Sequence, residues 1–327
     1  MVVESISMPG AKDLDSTTIT PRRELEDCNH LLDDHAALMR FHDEQGYILL
    51  RGVLDPASVE ETRKAMFAVM ERHGLIEPGN TDGTWTGKPF PGGMEESPEF
   101  SGIARRLIEN PANQKLMEKI LGEPACIIPI VQYRTYPPGG SITGAHQDGF
   151  YSPGIRNYKP VWTTLTPCPR EVGGLMVAVG QCNRGFLHNL AKTPSPIPEG
   201  VIPEDSWATT DYYPGDVLIL NPYAPHASMP NTSKYCRVTL DTRVQSAADP
   251  RVLLADIVSA SPDAITVRDL AGAERTFTVD DDTFIRIEHP GVRQKRADYV
   301  PSAPAGKRIV VVFDGNHAET LRRASDN

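Results

Sequence analysis

The chain has 327 residues, of which 39% are hydrophobic and 23% are charged, a composition typical of a globular protein and unlike that of a disordered one. Its formal net charge of -10 argues against non-specific binding to nucleic acid or to an anionic membrane, because both need a basic surface. The sequence shows no signal-peptide pattern, no apolar run long enough to span a membrane, and no CxxC pair among its five cysteines. We therefore expect a cytoplasmic protein that binds a small molecule.

The sequence of the first part of the chain predicts an arm, a helix, a strand and a second helix. Residues 1–30 are polar and show no sustained period, which is typical of a flexible N-terminal arm. From Asp34 apolar residues repeat at helical spacing until Gly46, and the run YILL then predicts a buried strand. Asp55 and Pro56 predict the N-cap and the first residue of a second, longer helix.

A long loop separates this region from the next helix. Residues 76–100 are dense in Gly and Pro, and the run is longer than a simple connection. It is therefore predicted to be a lid or a substrate loop, with Trp85 and Phe90 as candidate apolar walls or, equally, ordinary core residues. One further helix is predicted over about 101–122.

Residues 125–245 consist of short β-type runs separated by turn residues, namely CIIPIVQYRTY, VWTTLT, GGLMVAV, DVLIL and YCRVTLDTRVQ. This texture predicts a mainly β fold with flanking helices, a double-stranded β-helix or cupin-like jelly roll. A second β-rich patch follows residue 250, with hairpin-like turns at 269–272 and 280–282. The patch is either a separate module or a set of extra strands on the main sheet.

The chain is accordingly divided into three predicted parts. They are a flexible arm at 1–30, the β-helix domain at 31–248 and a β-rich C-terminal extension at 249–327. The extension is also a candidate surface for the formation of a homo-oligomer.

Three side chains form a candidate metal site. His146 and Asp148 stand in an H-x-D arrangement, and on an extended segment the period of two places both on the same face. His226 is proposed as the third ligand. Two histidines and one carboxylate leave three positions open on iron(II), enough for a bidentate oxo-acid and oxygen. The alternative is that each residue is an ordinary surface or core residue, since an H-x-D pair occurs by chance in many chains.

Arg237 follows His226 by eleven positions and opens a β-patterned stretch in which Arg237, Thr239 and Asp241 share one face. A guanidinium that points into a barrel needs an anionic partner, because an unpaired buried charge is costly. The distal carboxylate of 2-oxoglutarate suits this role, and the hydroxyl of Ser228 could donate to the same group. The alternative is a structural ion pair between Arg237 and Asp241 or another acid.

These motifs resemble the phytanoyl-CoA dioxygenase family of iron(II)- and 2-oxoglutarate-dependent oxygenases. The resemblance runs from about Phe41 to Gln245. It includes the segment FHDEQGYILLRGVLDPASVEETR, the HQDGFY block, the apolar strand that follows Gly215 and Asp216, and the HASMPNTSKYCR block. It implies a catalytic iron(II) held by His146, Asp148 and His226, with 2-oxoglutarate and O2 as co-substrates. It also implies that Arg237 and Ser228 bind the 2-oxoglutarate.

Further residues are assigned by the same resemblance. Gln132 and Trp162 lie where relatives often place residues near the co-substrate or the substrate, although a strand-surface role and a core role are their respective alternatives. Tyr136 falls near a position where many relatives carry a lysine.

One turn departs from the family pattern. Where relatives usually read Pro-Gly-Ser-His, this chain reads VGQC, with Cys182 at the usual histidine position and His188 six residues later. The difference concerns substrate shape or packing, and His188 is a hypothetical substrate contact. Phe150 and Tyr151 are further candidate apolar walls or, equally, ordinary core residues.

The resemblance implies a dioxygenase that hydroxylates a small molecule in natural-product biosynthesis and releases succinate and CO2. The presence of Asp148 argues against a halogenase. Two alternatives stay open, a cupin-type isomerase or oxygenase that does not use 2-oxoglutarate, and a non-catalytic metal-binding interaction protein. The acidic net charge favours a neutral or cationic substrate over an acyl-CoA, whose phosphates favour a basic surface.

Overall fold

The structure is a computed structural model that describes residues 6–89, 98–128, 132–152, 154–155, 157–192, 194–288 and 293–324, with backbone only at 98–101 and 132–134. The α-helices are α1 (His35–Gln45), α2 (Pro56–Arg72), α3 (Pro98–Glu109), α4 (Pro111–Leu121) and α5 (Asp148–Tyr151). The strands are β1 (Arg23–Glu24), β2 (Tyr47–Leu50), β3 (Ala125–Ile127), β4 (Gln132–Tyr136), β5 (Tyr158–Thr164), β6 (Leu175–Ala178), β7 (Trp207–Thr209), β8 (Val217–Leu220), β9 (His226–Ser228), β10 (Arg237–Ser246), β11 (Val252–Ser261), β12 (Ala264–Asp269), β13 (Glu274–Thr278), β14 (Phe284–Arg286), β15 (Arg308–Asp314) and β16 (His317–Arg323).

The predicted helix ends of α1 and α2 are confirmed. Gly46 ends α1 in the left-handed conformation with φ 88°, and the side chain of Asp55 caps α2, which begins at Pro56. The single helix predicted over 101–122 is wrong, because α3 and α4 are separate helices. Pro111 cannot continue the backbone hydrogen bonds of α3, and it starts α4 under an Asn110 cap.

Two facing sheets form the jelly roll, which confirms the predicted fold class. The large sheet has the order β2-β8-β5-β10-β3, with β4 also beside β10, and the small sheet has the order β1-β7-β6-β9. Apolar side chains of both sheets, such as Leu49, Val177 and Leu218, pack between them. Helices α1 to α4 cover the outer face of the large sheet.

Strand β10 shows how the large sheet separates its two faces. Val238, Leu240 and Val244 belong to the apolar core under the helices. Arg237 and Asp241 point to the opposite face, where they line a cavity between the sheets. The period of two in the sequence therefore separates core residues from site residues along a single strand.

The residues after 250 form a third sheet, with the order β13-β12-β11-β15-β16-β14. In the described residues its strands pair only with one another, so it is not an extension of either barrel sheet. The turn at 269–272 does join a hairpin, whereas the turn at 280–282 does not, because β14 pairs with β16 in parallel. This C-terminal sheet has its own apolar core.

A smaller apolar cluster joins the C-terminal sheet to the jelly roll. Val252, Val310 and Val312 of the third sheet are buried together with Ile128 and Tyr158 of the barrel. The contact lies beside β3 and β5, close to the turn that carries α5. The division of the chain at residues 30 and 248 and the association of copies through the extension stay predictions.

The N-terminal stretch lies along the small sheet. Within 6–30, expected to be a flexible arm, β1 pairs in parallel with β7, and Leu25 and Cys28 are buried. Among the described residues, no helix combines the length and the apolar character needed to cross a membrane.

Candidate metal centre and active site

The backbone brings the three predicted metal ligands together. His146 and His226 form an isolated antiparallel bridge, in which each residue's N–H donates to the other's carbonyl at 3.0 Å. Gln147 is extended, and Asp148 is the first residue of α5. One ligand atom from each of His146, Asp148 and His226 lies within 4.8 Å of the others, so the group could hold a metal ion.

Hydrogen bonds orient the two imidazole rings. Nδ1 of His146 contacts the carbonyl of Gly144 at 2.8 Å, and Nδ1 of His226 contacts the carbonyl of Ala224 at 3.1 Å. A carbonyl can only accept, so each Nδ1 must carry the proton and each Nε2 becomes the atom that can bind a metal. Such a hydrogen bond behind a ligating histidine fixes its tautomer and its ring orientation.

Asp148 is a buried carboxylate whose charge is balanced by neighbours. Burial alone would raise its pKa, but the positive charge of Arg243 is the largest cause that lowers it, and the pKa falls to about 2. Nη2 of Arg243 lies 3.2 Å from Oδ1 of Asp148 and 3.6 Å from Oδ2 of Asp241. Two neutral nitrogen donors and one ionised oxygen donor fit iron(II).

Arg243 was not identified from the sequence. It lies two residues beyond Asp241 on β10, so the same period of two that grouped Arg237, Thr239 and Asp241 would have found it at the next step. Its side chain is buried and supports the charge of Asp148.

Arg237 and Ser228 lie in the same cavity as the three candidate ligands. Arg237 is 1% exposed, its Nη2 donates to the hydroxyl of Ser228 at 3.1 Å, and its Nη1 donates to the carbonyl of Gly173. The guanidinium also stacks 3.9 Å from the ring centroid of Tyr136, the residue at the position of the relatives' lysine. A planar guanidinium held in this way is suited to a carboxylate.

Gly173 explains part of this geometry. Its φ is +81°, and a Cβ there would lie 2.5 Å from the carbonyl oxygens of Met229 and Pro230. Only glycine therefore allows its backbone to come close to the segment after β9. The first glycine of the GlyGly pair in the run GGLMVAV thus helps to position the guanidinium of Arg237 through its carbonyl.

Comparisons with known proteins identify the family of the chain. The family model for phytanoyl-CoA dioxygenase (PhyH) matches residues 42–239. The chain belongs to this family. It is therefore a 2-oxoglutarate-dependent non-haem iron dioxygenase, with iron(II), 2-oxoglutarate and O2.

Two relatives share the name 1-deoxypentalenic acid 11-beta-hydroxylase. The one from Streptomyces arenae is 32% identical over 244 residues, which is 69% of this chain and 86% of the relative. The one from Streptomyces exfoliatus is 32% identical over 246 residues, with the same coverage. Among solved structures, EctD from S. alaskensis with 2-oxoglutarate and 5-hydroxyectoine has a TM-score of 0.51 at 15% identity, covering 76% of this chain and 87% of its own. This last likeness shows the fold.

The remaining predicted residues of this dioxygenase have different positions. Trp162 lines the cavity and packs edge-on against Tyr212, with ring centroids 4.8 Å apart. The backbone of Gln132 pairs with Asp241, while its side chain lies outside the described residues. Trp85 packs against the apolar core under the helices, in keeping with the core role that is the alternative to a cavity wall. Phe90 lies outside the described residues.

His188 supports the turn between two candidate ligands. It is fully buried, its Nε2 accepts from the N–H of Gln147 at 3.2 Å, and its Nδ1 donates to the carbonyl of Ser195 at 2.7 Å. Its ring stacks on Phe150 with centroids 3.9 Å apart. Because both nitrogens are occupied, the hypothesis of a substrate contact finds no support in this geometry. Cys182 donates to the carbonyl of Asp43 at 3.2 Å and packs against α1.

A row of aromatic rings begins beside the metal site. The Tyr151 ring lies 6.1 Å from His146, and Phe150 contacts Tyr151 and Phe186. Phe186 stacks on Tyr223 with centroids 5.0 Å apart. Tyr151 is 37% exposed and Tyr223 is 38% exposed, so both rings reach the surface. We call Phe150, Tyr151, Phe186 and Tyr223 the aromatic ledge.

Proposed function

We propose that this dioxygenase hydroxylates an apolar small molecule in natural-product biosynthesis and releases succinate and CO2. The observation that carries the proposal is one cavity that contains both a three-residue metal group and a buried arginine with a hydroxyl beside it. In this proposal His146, Asp148 and His226 bind iron(II), which supplies, with 2-oxoglutarate and O2, the oxidising power to remove hydrogen from a C–H bond.

The other end of the cavity binds the co-substrate in this proposal. Arg237 grips the distal carboxylate of 2-oxoglutarate, and Ser228 donates a hydrogen bond to the same group. Tyr136 holds the guanidinium by stacking against it. Trp162 forms a dry side wall of the cavity, and a contact of Gln132 with the co-substrate stays a prediction.

The aromatic ledge is the proposed resting place of the substrate body. Its rings start at the metal site and are partly exposed, and apolar surface of this kind favours an apolar ligand. The two Streptomyces relatives are named for the hydroxylation of 1-deoxypentalenic acid, which supports hydroxylation as the reaction here too.

The test is a succinate assay on the iron-loaded protein with 2-oxoglutarate, O2 and a panel of metabolites. We expect succinate to be formed in an iron-dependent manner and to increase with an accepted substrate. Turnover of a substrate without consumption of 2-oxoglutarate would instead favour the cupin-type isomerase or oxygenase. A protein that shows no iron-dependent absorption band with 2-oxoglutarate under anaerobic conditions would be the non-catalytic alternative.

A further inference from the structure

Arg286 is a buried arginine that comes from outside the region matched by the family. It is the last residue of β14, in the C-terminal sheet, whereas the family match ends at residue 239. Only 8% of its surface is exposed. Its Nη2 donates to the carbonyl of Tyr151 at 2.8 Å, which ties the C-terminal sheet to the turn that follows Asp148.

The charge of Arg286 is not balanced by an acid of the described chain. Among the described residues no carboxylate forms an ion pair with it, and its Nε–H has no hydrogen-bond partner. Burial and the nearby charge of Arg243 lower the pKa of Arg286. Arg243, by contrast, contacts both Asp148 and Asp241. A buried guanidinium without an acid is costly unless an anion joins it.

The position of Arg286 relates it to the active site. Tyr151, whose carbonyl accepts its hydrogen bond, is also the ring of the aromatic ledge next to His146. The carbonyl of Tyr151 thus contacts Arg286 while its ring lies beside His146, so this one residue connects the C-terminal sheet with the metal group.

The charges near the metal group favour a negative charge on a molecule that binds there. Three arginines, Arg237, Arg243 and Arg286, flank two carboxylates, Asp148 and Asp241. Iron(II) and 2-oxoglutarate would add equal and opposite charges. Arg286, which pairs with no carboxylate of the described residues, therefore suits an anionic group on the substrate.

We propose that the substrate is an apolar monocarboxylic acid whose carboxylate binds Arg286, so that the C-terminal sheet supplies a specificity residue to the active site. This proposal rests on the proposed function, and it departs from the neutral or cationic substrate favoured by the net charge. The local arrangement of buried charge, not the sum over the surface, decides which ligand charge a pocket accepts.

The experiment compares wild type, Arg286→Met, Arg286→Lys and the control Arg268→Met, a surface arginine of the same sheet paired with Glu274. The probes are decanoic acid and abietic acid, each beside its methyl ester. Binding is measured under anaerobic conditions from the change in the iron-dependent 2-oxoglutarate absorption, and succinate formation without any substrate is measured in parallel.

We expect the acids to bind wild type at least roughly 10-fold more tightly than their esters, and Arg286→Met to lose this preference. Arg286→Lys should keep part of the preference, and Arg268→Met all of it. Succinate formation without substrate should be the same in wild type and Arg268→Met.

Equal binding of acids and esters to wild type, or no binding of either acid, would overturn the proposal. An equal loss for acids and esters in Arg286→Met would show that Arg286 only supports the Tyr151 turn. If Arg286→Met does not fold, the acid and ester comparison in wild type and Arg286→Lys decides. Wild type without the absorption band or succinate would instead refute the proposed function.

Discussion

The two faces of the large sheet have different roles, although the same strands form both. The outer face stabilises the fold, and the inner face lines the cavity. On the outer face Val161, Leu240 and Val244 are packed under the helices, and their contribution is to stability. On the inner face Arg237 and Asp241 line the cavity, and burying their charges costs folding free energy. Alternation along a strand can therefore separate core from solvent or core from a functional site. Charged residues that point inward, such as Arg237 and Asp241, indicate a functional site. Four experiments can break or sharpen this separation.

The largest effect is expected for a ligand on the site side. His226→Ala should abolish iron binding and bring succinate formation to the background level, because two donors alone hold iron(II) poorly. Iron content and the 2-oxoglutarate absorption band measure this, while a thermal melt of the metal-free protein serves as the control for folding. Turnover close to that of wild type would remove His226 from the metal site.

On the outer face, Leu240→Ala should lower the free energy of unfolding by about 2–5 kcal/mol, since the side chain is fully buried. The kcat and the KM for 2-oxoglutarate should stay at wild-type values at a temperature where the variant is folded. Urea unfolding and the succinate assay give the two quantities. A large change in kcat with unchanged stability would contradict the separation of faces.

A co-substrate effect of intermediate size is expected at Arg237. Arg237→Met should raise the KM for 2-oxoglutarate roughly 100-fold, the equivalent of about 2–3 kcal/mol for charge-assisted hydrogen bonds. The kcat at saturating 2-oxoglutarate should fall much less. Arg237→Lys is the matched control, because it keeps the charge and loses the fork, and its KM should lie between the two. An unchanged KM in Arg237→Met would exclude this arginine from co-substrate binding.

The outer side of the large sheet also contains a buried polar residue, His42 of α1. Its Nδ1 lies 3.4 Å from Nζ of Lys159. Burial, helped by the Lys159 charge, lowers the pKa of His42 to about 4. As pH falls from about 6.5, the unfolded chain takes up a proton that the folded chain refuses, so stability decreases.

The contribution of His42 to this loss is about 2 kcal/mol between pH 7.5 and pH 5. Urea unfolding at the two pH values should therefore show a smaller loss for His42→Gln than for wild type, by about that amount. Equal losses in the two proteins would mean that His42 is protonated in the folded state.

The features that the sequence predicts correctly are those encoded by periodicity and spacing. The period of two placed Arg237 and Asp241 on one face, and the helix ends at Gly46 and Asp55 followed from local backbone chemistry. The jelly roll and the family were also recognised from the sequence. The proposed roles of the individual site residues stay predictions.

The sequence could not predict contacts that depend on three-dimensional packing. Arg286 meets Tyr151 across 135 residues of chain, and no local pattern signals that meeting. His188 likewise supports Gln147 from 41 residues away. The break between α3 and α4 is different, because Pro111 is a local signal in the sequence that is sufficient to predict it.

The backbone bridge between His146 and His226 has a consequence for how the protein is loaded with metal. Two mutual hydrogen bonds already fasten the segments that carry the imidazoles, so the donor atoms are assembled by folding itself. The metal site is then preformed, and the ion can bind and dissociate reversibly. Chelators should strip it and fresh ferrous salt restore it without the chain passing through an unfolded state.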